Sequence, residues 1–276
     1  MTEGTAMNGL TEPRSFLFVP GDRPERFDKA LQSGADAVIL DLEDAVSPEN
    51  KSEARRAIEA WLTPDRPVLI RVNAPGTSWF EEDAQLGKLR GVAGIVLPKA
   101  ENASDVVELV SRTKRRIPVY ALIETAKGMF NAMNIARAPF VRQLMFGSLD
   151  FCADLRLASD GSELDHFRAD LVVTSRVAGI APPIDGVTPA IGDDDLLRAE
   201  TLNARRWGFA GKLCIHPRQV AIVNAGFAPS EDELAWARRV IEAFNTADGA
   251  AVAVDGKMVD QPVAQRAQSI LDAVGA

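Results

Sequence analysis

The stretch AVILDLEDAVS, residues 37–47, starts as an apolar run suited to a buried strand and then carries Asp41, Glu43 and Asp44 within four positions. Charged side chains are rarely buried without a partner. Either the strand ends here and the acids meet water, or they serve a site. The choice depends on what the rest of the chain places beside them.

Working outward from AVILDLED (37–44), seven more short runs have the same character: RSFLFVPG (14–21), PVLIRVN (67–73), GIVLPKA (94–100), PVYALIET (118–125), QLMFGSLD (143–150), PIDGVTP (183–189) and GKLCIHP (211–217). They are rich in Val, Ile and Leu, as expected of parallel strands covered on both faces. Between them lie stretches with the three-to-four spacing of a covered helix face. Examples are Ala54, Ala57, Ile58 and Trp61; Leu164, Phe167, Leu171 and Ala178; and, as an eighth helix, Leu234, Ala237, Ile241 and Phe244. Repeated βα units of this number and length predict an α/β protein, a (β/α)8 TIM barrel over 14–247. A flexible N-terminus, 1–13, is expected before it and a C-terminal helical extension, 248–276, after it. A doubly wound open sheet would want a glycine-rich phosphate turn after the first strand, and VPGDRP is not GxGxxG.

Composition narrows the class further. With 39 acidic against 31 basic residues the net charge is −8, which speaks against a general nucleic-acid binder and leaves small anionic ligands open. No segment reaches the roughly 18 uninterrupted apolar residues of a membrane span, and MTEGTAMNGLTEP lacks the features of a signal peptide. A cytoplasmic protein with no membrane or nucleic-acid partner is expected. Cys152 and Cys214 have neither CxxC spacing nor a histidine at zinc-ligand spacing, which fits buried, inert thiols.

In a barrel, functional groups gather at the C-terminal strand ends. The eight runs end, in order, near Pro20; Asp41, Glu43 and Asp44; Arg71 and Asn73; Lys99; Glu124; Asp150, with Asp154 beyond; Asp185; and His216. Glu124 and Asp150, lone carboxylates on adjacent strands, can give two oxygen ligands to Mg²⁺, leaving positions for water and substrate. A 2-oxo acid would chelate such an ion, and the ion would polarise its carbonyl. Arg71 adds a permanently charged fork for an oxyanion or a carboxylate. The acids of the second strand are placed to orient metal-bound water. Strand alternation sets Asp41 and Glu43 on one side and Asp44 on the other. Glu43 and Asp44 are expected toward the metal's surroundings, with Asp41 mainly structural.

The segments RSFLFVPGDRPERFDKA, LDLEDAV, RVN, LPKA, LIETAKG, FGSLDF, GKLCIHPRQV and DGKMVDQPVAQRAQSIL, in this order, resemble the citrate lyase beta-subunit family within the HpcH/HpaI aldolase superfamily. The resemblance runs from about residue 14 to 272. It implies a (β/α)8 barrel with a C-terminal extension and a Mg²⁺-dependent lyase. Such an enzyme cleaves a 3-hydroxyacyl-CoA of the citramalyl-, malyl- or citryl-CoA type into acetyl-CoA and a 2-oxo acid. By the same resemblance the metal ligands fall on Glu124 and Asp150, and the substrate-binding residues on Arg71, Glu124 and Lys99. The ending VAVDGKMVDQPVAQRAQSIL resembles that of stand-alone acyl-CoA lyases and their thioesterase relatives, in which a tail aspartate, here Asp260, completes the site of a neighbouring subunit. A homo-oligomer, a trimer or its multiple, is implied. Subunits of the citrate lyase complex usually lack this ending and tend to have Asn where this chain has His216.

The chemistry expected is a retro-Claisen cleavage with Arg71, Glu43, Asp44 and Asp260 as catalytic candidates. Pro20, Arg23, Arg26 and Lys29, at a helix N-terminus, are candidates for the CoA phosphates. Asp260 also suits the N-cap of the last helix, with Pro262 in its first turn. Three alternatives stand: a malyl-CoA-type thioesterase using the same metal site, a Schiff-base aldolase using Lys99 or Lys127, and a non-catalytic subunit. A Ser-His-Asp hydrolase is disfavoured, since His166 and His216 are the two histidines and GxSxG is absent.

Overall fold

Each of the eight apolar runs forms a strand in the computed structural model, which describes residues 13–275. The expected flexible N-terminus, 1–13, lies outside the described residues except for Pro13. In chain order the elements are β1 (Ser15–Pro20), α1 (Phe27–Leu31), β2 (Ala37–Asp41), α2 (Lys51–Trp61), β3 (Val68–Arg71), α3 (Phe80–Gln85), β4 (Val92–Leu97), α4 (Ala103–Thr113), β5 (Val119–Ile123), α5 (Ala126–Phe130), α6 (Ala132–Ala136), β6 (Val141–Phe146), α7 (Ser148–Leu155), α8 (Asp165–Ala178), β7 (Ala181–Asp185), α9 (Asp194–Trp207), β8 (Gly211–Cys214) and α10 (Pro217–Phe227). Beyond them come α11 (Glu231–Thr246), the hairpin β9 (Val252–Val254) and β10 (Lys257–Val259), and α12 (Gln261–Asp272).

Strands β1 to β8 pair in sequence, all parallel, and β8 returns to β1 through Ser15↔Lys212, Phe16↔Leu213 and Leu17↔Cys214. That pairing closes the barrel. Periodicity could not show closure, because an open sheet and a barrel bury the same runs.

Side chains alternate along a strand, and one parity points inward. Phe16, Ile39, Leu69, Val96, Tyr120, Leu122, Met145, Ile184 and Leu213, at least one from every strand, form a single buried cluster. Full burial of such a side chain contributes about 1.5–3 kcal/mol, so this layer is a packed core and not a pore. Gly94 shares the inward parity, and a Cβ there would lie 2.8 Å from Cε2 of Tyr120. Its missing side chain is the space the tyrosine ring fills. Both cysteines are buried and unpaired, and burial pushes the Cys214 thiol up to about 12. No helix among the described residues is long and apolar enough to cross a membrane.

The described chain divides into two compact units, Pro13–Ala225 and Gly226 onward, one helix earlier than the expected boundary at 247. The stripe Leu234, Ala237, Ile241 and Phe244 belongs to the second unit, and the helix that follows β8 is α10. Within that unit Leu234, Ala237, Val240 and Phe244 of α11 share a buried cluster with Val259, Ala264, Ala267 and Leu271. An amphipathic stripe states that a face is covered and says nothing of what covers it. Helix α11 begins with a capping box: Ser230 Oγ accepts from the Glu233 N–H at 3.1 Å, and Glu233 Oε2 accepts from the Ser230 N–H at 2.8 Å.

Candidate active site

Two residues beyond six members of the core cluster the inward parity reaches the strand ends, where three of the positions become charged. Phe16 gives way to Phe18, Ile39 to Asp41, Leu69 to Arg71, Leu122 to Glu124, Met145 to Gly147 and Leu213 to Ile215. All six line a cavity of about 370 Å³ at the C-terminal strand ends, together with Pro20, Asp44, Ser148 and Asp150.

On the β2–β3 side the charges are paired. Register sets Asp41 opposite Arg71. The Asp41 carboxylate accepts from Arg71 Nε at 2.7 Å and from Nη2 at 2.6 Å, and both residues are buried. The remaining nitrogen, Nη1, lies 3.0 Å from Glu43 Oε2, outside hydrogen-bonding geometry, and 3.7 Å from Asp44 Oδ2. The guanidinium also stands 4.7 Å from the centre of the Phe18 ring. Although burial opposes its charge, these carboxylates hold the Arg71 pKa above its ordinary value.

The strand ends at Asp41, so alternation does not run on to Glu43 and Asp44. Asp41 ends it, accepting from the N–H groups of Glu43 at 2.9 Å and Ala45 at 3.2 Å. Such side-chain turns are a habit of aspartate. Asp44 faces the cavity, whereas Glu43 is buried behind it, 3.1 Å from Lys99 Nζ. Burial raises the Glu43 pKa against the pull of Arg71 and Lys99. Lys99 itself has φ 47°, in the left-handed region. That conformation costs about 1–2 kcal/mol in a residue with a Cβ, and here it aims the backbone N–H at Glu124 Oε1, 2.6 Å away.

On the β5–β6 side the charges are not paired. Glu124 is 2% exposed, and that N–H is its one hydrogen-bond donor among the described residues. Burial, with Glu43 and Asp150 nearby, pushes its carboxyl up to about 8. Asp150 lies in the first turn of α7, not at a strand end, because β6 stops at Phe146 and Gly147 caps the helix. Gly147 leaves room for the Glu124 side chain: a Cβ there would sit 2.6 Å from Glu124 Cβ and 2.7 Å from Oε2. Neither carboxylate forms an ion pair among the described residues. No cluster of three or more His, Cys, Asp or Glu suited to a metal occurs among them. Glu124, buried and without an ion pair among the described residues, and Asp150, exposed at the cavity, offer two oxygen donors that fit a hard cation completing its shell with water and substrate.

Several sequence candidates lie elsewhere. Asp154 accepts from the Ala126 N–H at 2.7 Å and ties α7 to α5. Asp185 is buried against Arg168 at 3.1 Å and Lys212 at 3.7 Å and does not line the cavity. His216 accepts from the Arg218 N–H through Nδ1 at 3.2 Å, and His166 stacks on Phe167; neither lines the cavity. Lys127 pairs with Glu101 at 2.9 Å, and the pKa values of Lys99 and Lys127 are raised. Neither lysine lines the cavity, and a Schiff-base lysine needs the opposite shift, so neither observation favours the aldolase alternative. Pro20 lines the cavity, and Arg23, Arg26 and Lys29 are exposed on the turn and five-residue helix that follow. Within the second unit Asp260 caps α12, its Oδ1 accepting from the Val263 N–H at 3.3 Å.

Sequence reasoning missed Phe18 and Ser148, which line the cavity, and the buried Lys51, which does not. Nothing in the pattern marks Phe18, which reads as core until the parity is known. Lys51 did leave a signal, a cation in the first turn of α2, where the helix dipole disfavours it.

A closed parallel barrel whose acidic cavity opens at the C-terminal strand ends has the architecture and site position of a (β/α)8 enzyme. More narrowly, the chain belongs to the HpcH/HpaI aldolase/citrate lyase family, whose sequence profile matches residues 14–217. It is 40% identical over 279 residues to a citrate lyase subunit beta-like protein of Mycobacterium tuberculosis, covering 98% of both chains. It is also 38% identical over 256 residues to a (3S)-malyl-CoA thioesterase of Cereibacter sphaeroides, covering 90% of this chain and 89% of that one. Among solved structures it resembles protein CitE of Mycobacterium tuberculosis in complex with magnesium, acetoacetate and coenzyme A. The TM-score is 0.85 at 38% identity, covering 96% of this chain and 99% of that one.

Proposed function

We propose that the protein is a Mg²⁺-dependent carbon–carbon lyase. It would cleave a 3-hydroxyacyl-CoA of the citramalyl-, malyl- or citryl-CoA type to acetyl-CoA and a 2-oxo acid. The observation that carries this reading is Glu124, a buried carboxylate beside Asp150 with no ion pair among the described residues, in a cavity that also holds Arg71. The magnesium, acetoacetate and coenzyme A bound by the Mycobacterium tuberculosis relative support it.

Glu124 and Asp150 are the residues that would hold the cation, which when bound polarises the oxygen of the oxo-acid half and offsets its developing charge. Arg71, kept charged by Asp41 and Glu43, faces the carboxylate oxygens of that half. Lys99, in left-handed backbone, orients Glu124 through its N–H and Glu43 through its ammonium. In the reaction a base takes the hydroxyl proton and the bond to the CoA-bearing methylene breaks. Its electron pair moves into the thioester enolate, and a proton added at that carbon gives acetyl-CoA. Glu43 and Asp44 relay the hydroxyl proton outward. Asp260, from a neighbouring copy in a trimer or its multiple, supplies the proton at carbon. Arg23, Arg26 and Lys29, beside Pro20, take the CoA phosphates.

A second reading is favoured by the thioesterase relative: the same site hydrolyses the thioester of malyl-CoA. The test is a panel of acyl-CoAs assayed with and without EDTA, on the wild type and on Glu124→Ala. Intact acetyl-CoA from the wild type, abolished by either treatment, is the expected result. Free thiol in place of acetyl-CoA identifies the thioesterase, and activity that survives both treatments refutes the cation assignment.

A further inference from the structure

One buried cation lies outside the machinery described so far. Lys51 is 5% exposed, and its ammonium donates to Leu42 O at 2.8 Å, Glu43 O at 2.7 Å and Asn73 Oδ1 at 2.8 Å. The three acceptors are neutral, and no carboxylate lies within ion-pair distance among the described residues. The Trp79 ring covers the ammonium at 5.2 Å. Burying an ammonium without a counter-charge is costly, and placing it in the first turn of α2 sets it against the helix dipole as well. What it gains in return is a grip on two consecutive carbonyls of the acid-bearing loop.

The grip is anchored from behind. Asn73 Nδ2 donates to Leu42 O at 2.8 Å and to Asp83 Oδ2 at 2.5 Å, and the Asn73 N–H donates to the same Asp83 oxygen at 2.9 Å. Asp83 is fully buried and receives Arg55 Nη1 at 2.9 Å. Helix α2, helix α3 and the loop after β3 thus converge on Leu42 and Glu43. The side chain of Glu43 leaves this clamped backbone toward Lys99 and Arg71 on the cavity side.

We propose that Lys51, backed by Asn73 and Asp83, is a positioning residue for Glu43: it fixes the loop backbone from outside the cavity so that the carboxylate stays between Lys99 and Arg71. The part of this that concerns turnover rests on the lyase or thioesterase reading, and the part that concerns the loop does not.

Lys51→Met keeps the length of the side chain and removes its donors. In the variant, amide hydrogen exchange at Glu43, Ala45 and Val46 in the metal-free protein is expected to quicken about tenfold, with the β4 and β5 amides unchanged. With acyl-CoA, kcat is expected to fall about tenfold while KM stays near the wild-type value, and the same change made in Glu43→Gln is expected to cause no further loss. Unchanged exchange at the three amides overturns the proposal, as does a loss that adds to that of Glu43→Gln. If no acyl-CoA is turned over by the wild type, the reaction assignment falls and the exchange result decides the positioning role alone. Should Lys51→Met not fold, Asn73→Ser removes the link between Lys51 and Asp83 with the ammonium left in place, and the same two readouts apply.

Discussion

The two acidic sides of the cavity differ in how their charge is met. After β2, Asp41 and Glu43 are buried against Arg71 and Lys99, so each of these two carboxylates has a cation within about a hydrogen bond's reach. After β5, Glu124 is equally buried and has a single backbone N–H, while Asp150 on α7 has no partner among the described residues. The first side is charge-paired as folded; the second is not, and it is there that we propose the cation binds.

The strongest way to break this contrast is to remove the uncompensated charge. Glu124→Ala is expected to lower kcat/KM by about 10³-fold, the scale of losing several kcal/mol of charge stabilisation, measured in the acyl-CoA assay. Its folding stability is expected to hold, because a group whose charged form is disfavoured by burial contributes little to the fold. The compensated side predicts the reverse. Asp41→Asn leaves Arg71 buried without its paired carboxylate and is expected to cost about 3–5 kcal/mol in urea denaturation.

A gentler change sharpens the comparison. Gly147→Ala forces a methyl group against the Glu124 carboxylate, and displacing a metal-site neighbour typically costs about 10–100-fold in metal affinity. Titration calorimetry with Mg²⁺ is the measurement, and thermal stability is expected to change less than affinity does. The smallest effect is on pH dependence. The folded-state pKa of Glu124, about 8, lies above the value near 4.3 for an unfolded chain. The folded protein therefore holds a proton that the unfolded chain has released. Its contribution to stability is fullest below the unfolded value and is lost as pH rises toward about 8. The Tm of the metal-free protein is expected to decline across that window and the decline to flatten in Glu124→Gln.

Much of this was legible before any coordinates. The eight runs and their Val, Ile and Leu content follow from burial on both faces, and each became a strand. The rim of polar residues was visible because seven of the eight runs end near one, and the cavity does bring Asp41, Asp44, Arg71, Glu124 and Asp150 together. Legibility stopped where short-range geometry took over. Strand alternation could not place Glu43 and Asp44 once the Asp41 side chain turned the backbone, and Asp150 moved to a helix because Gly147 ends β6. His216 and Asp185 looked like the others at a strand end, yet one caps its own turn and the other faces Arg168 and Lys212.

By itself, the sequence determined which segments are buried, in what order they alternate and which residues stand at their ends, since hydrophobic period and chain order are local properties. Tertiary structure decided which of those residues share a cavity, which acids have a cation and which do not. Closure of β8 on β1, the bond from the Lys99 N–H to Glu124 and that from Lys51 to Asn73 all join residues far apart in the chain. Charge compensation depends on distance in space, and that distance exists only once the barrel has closed.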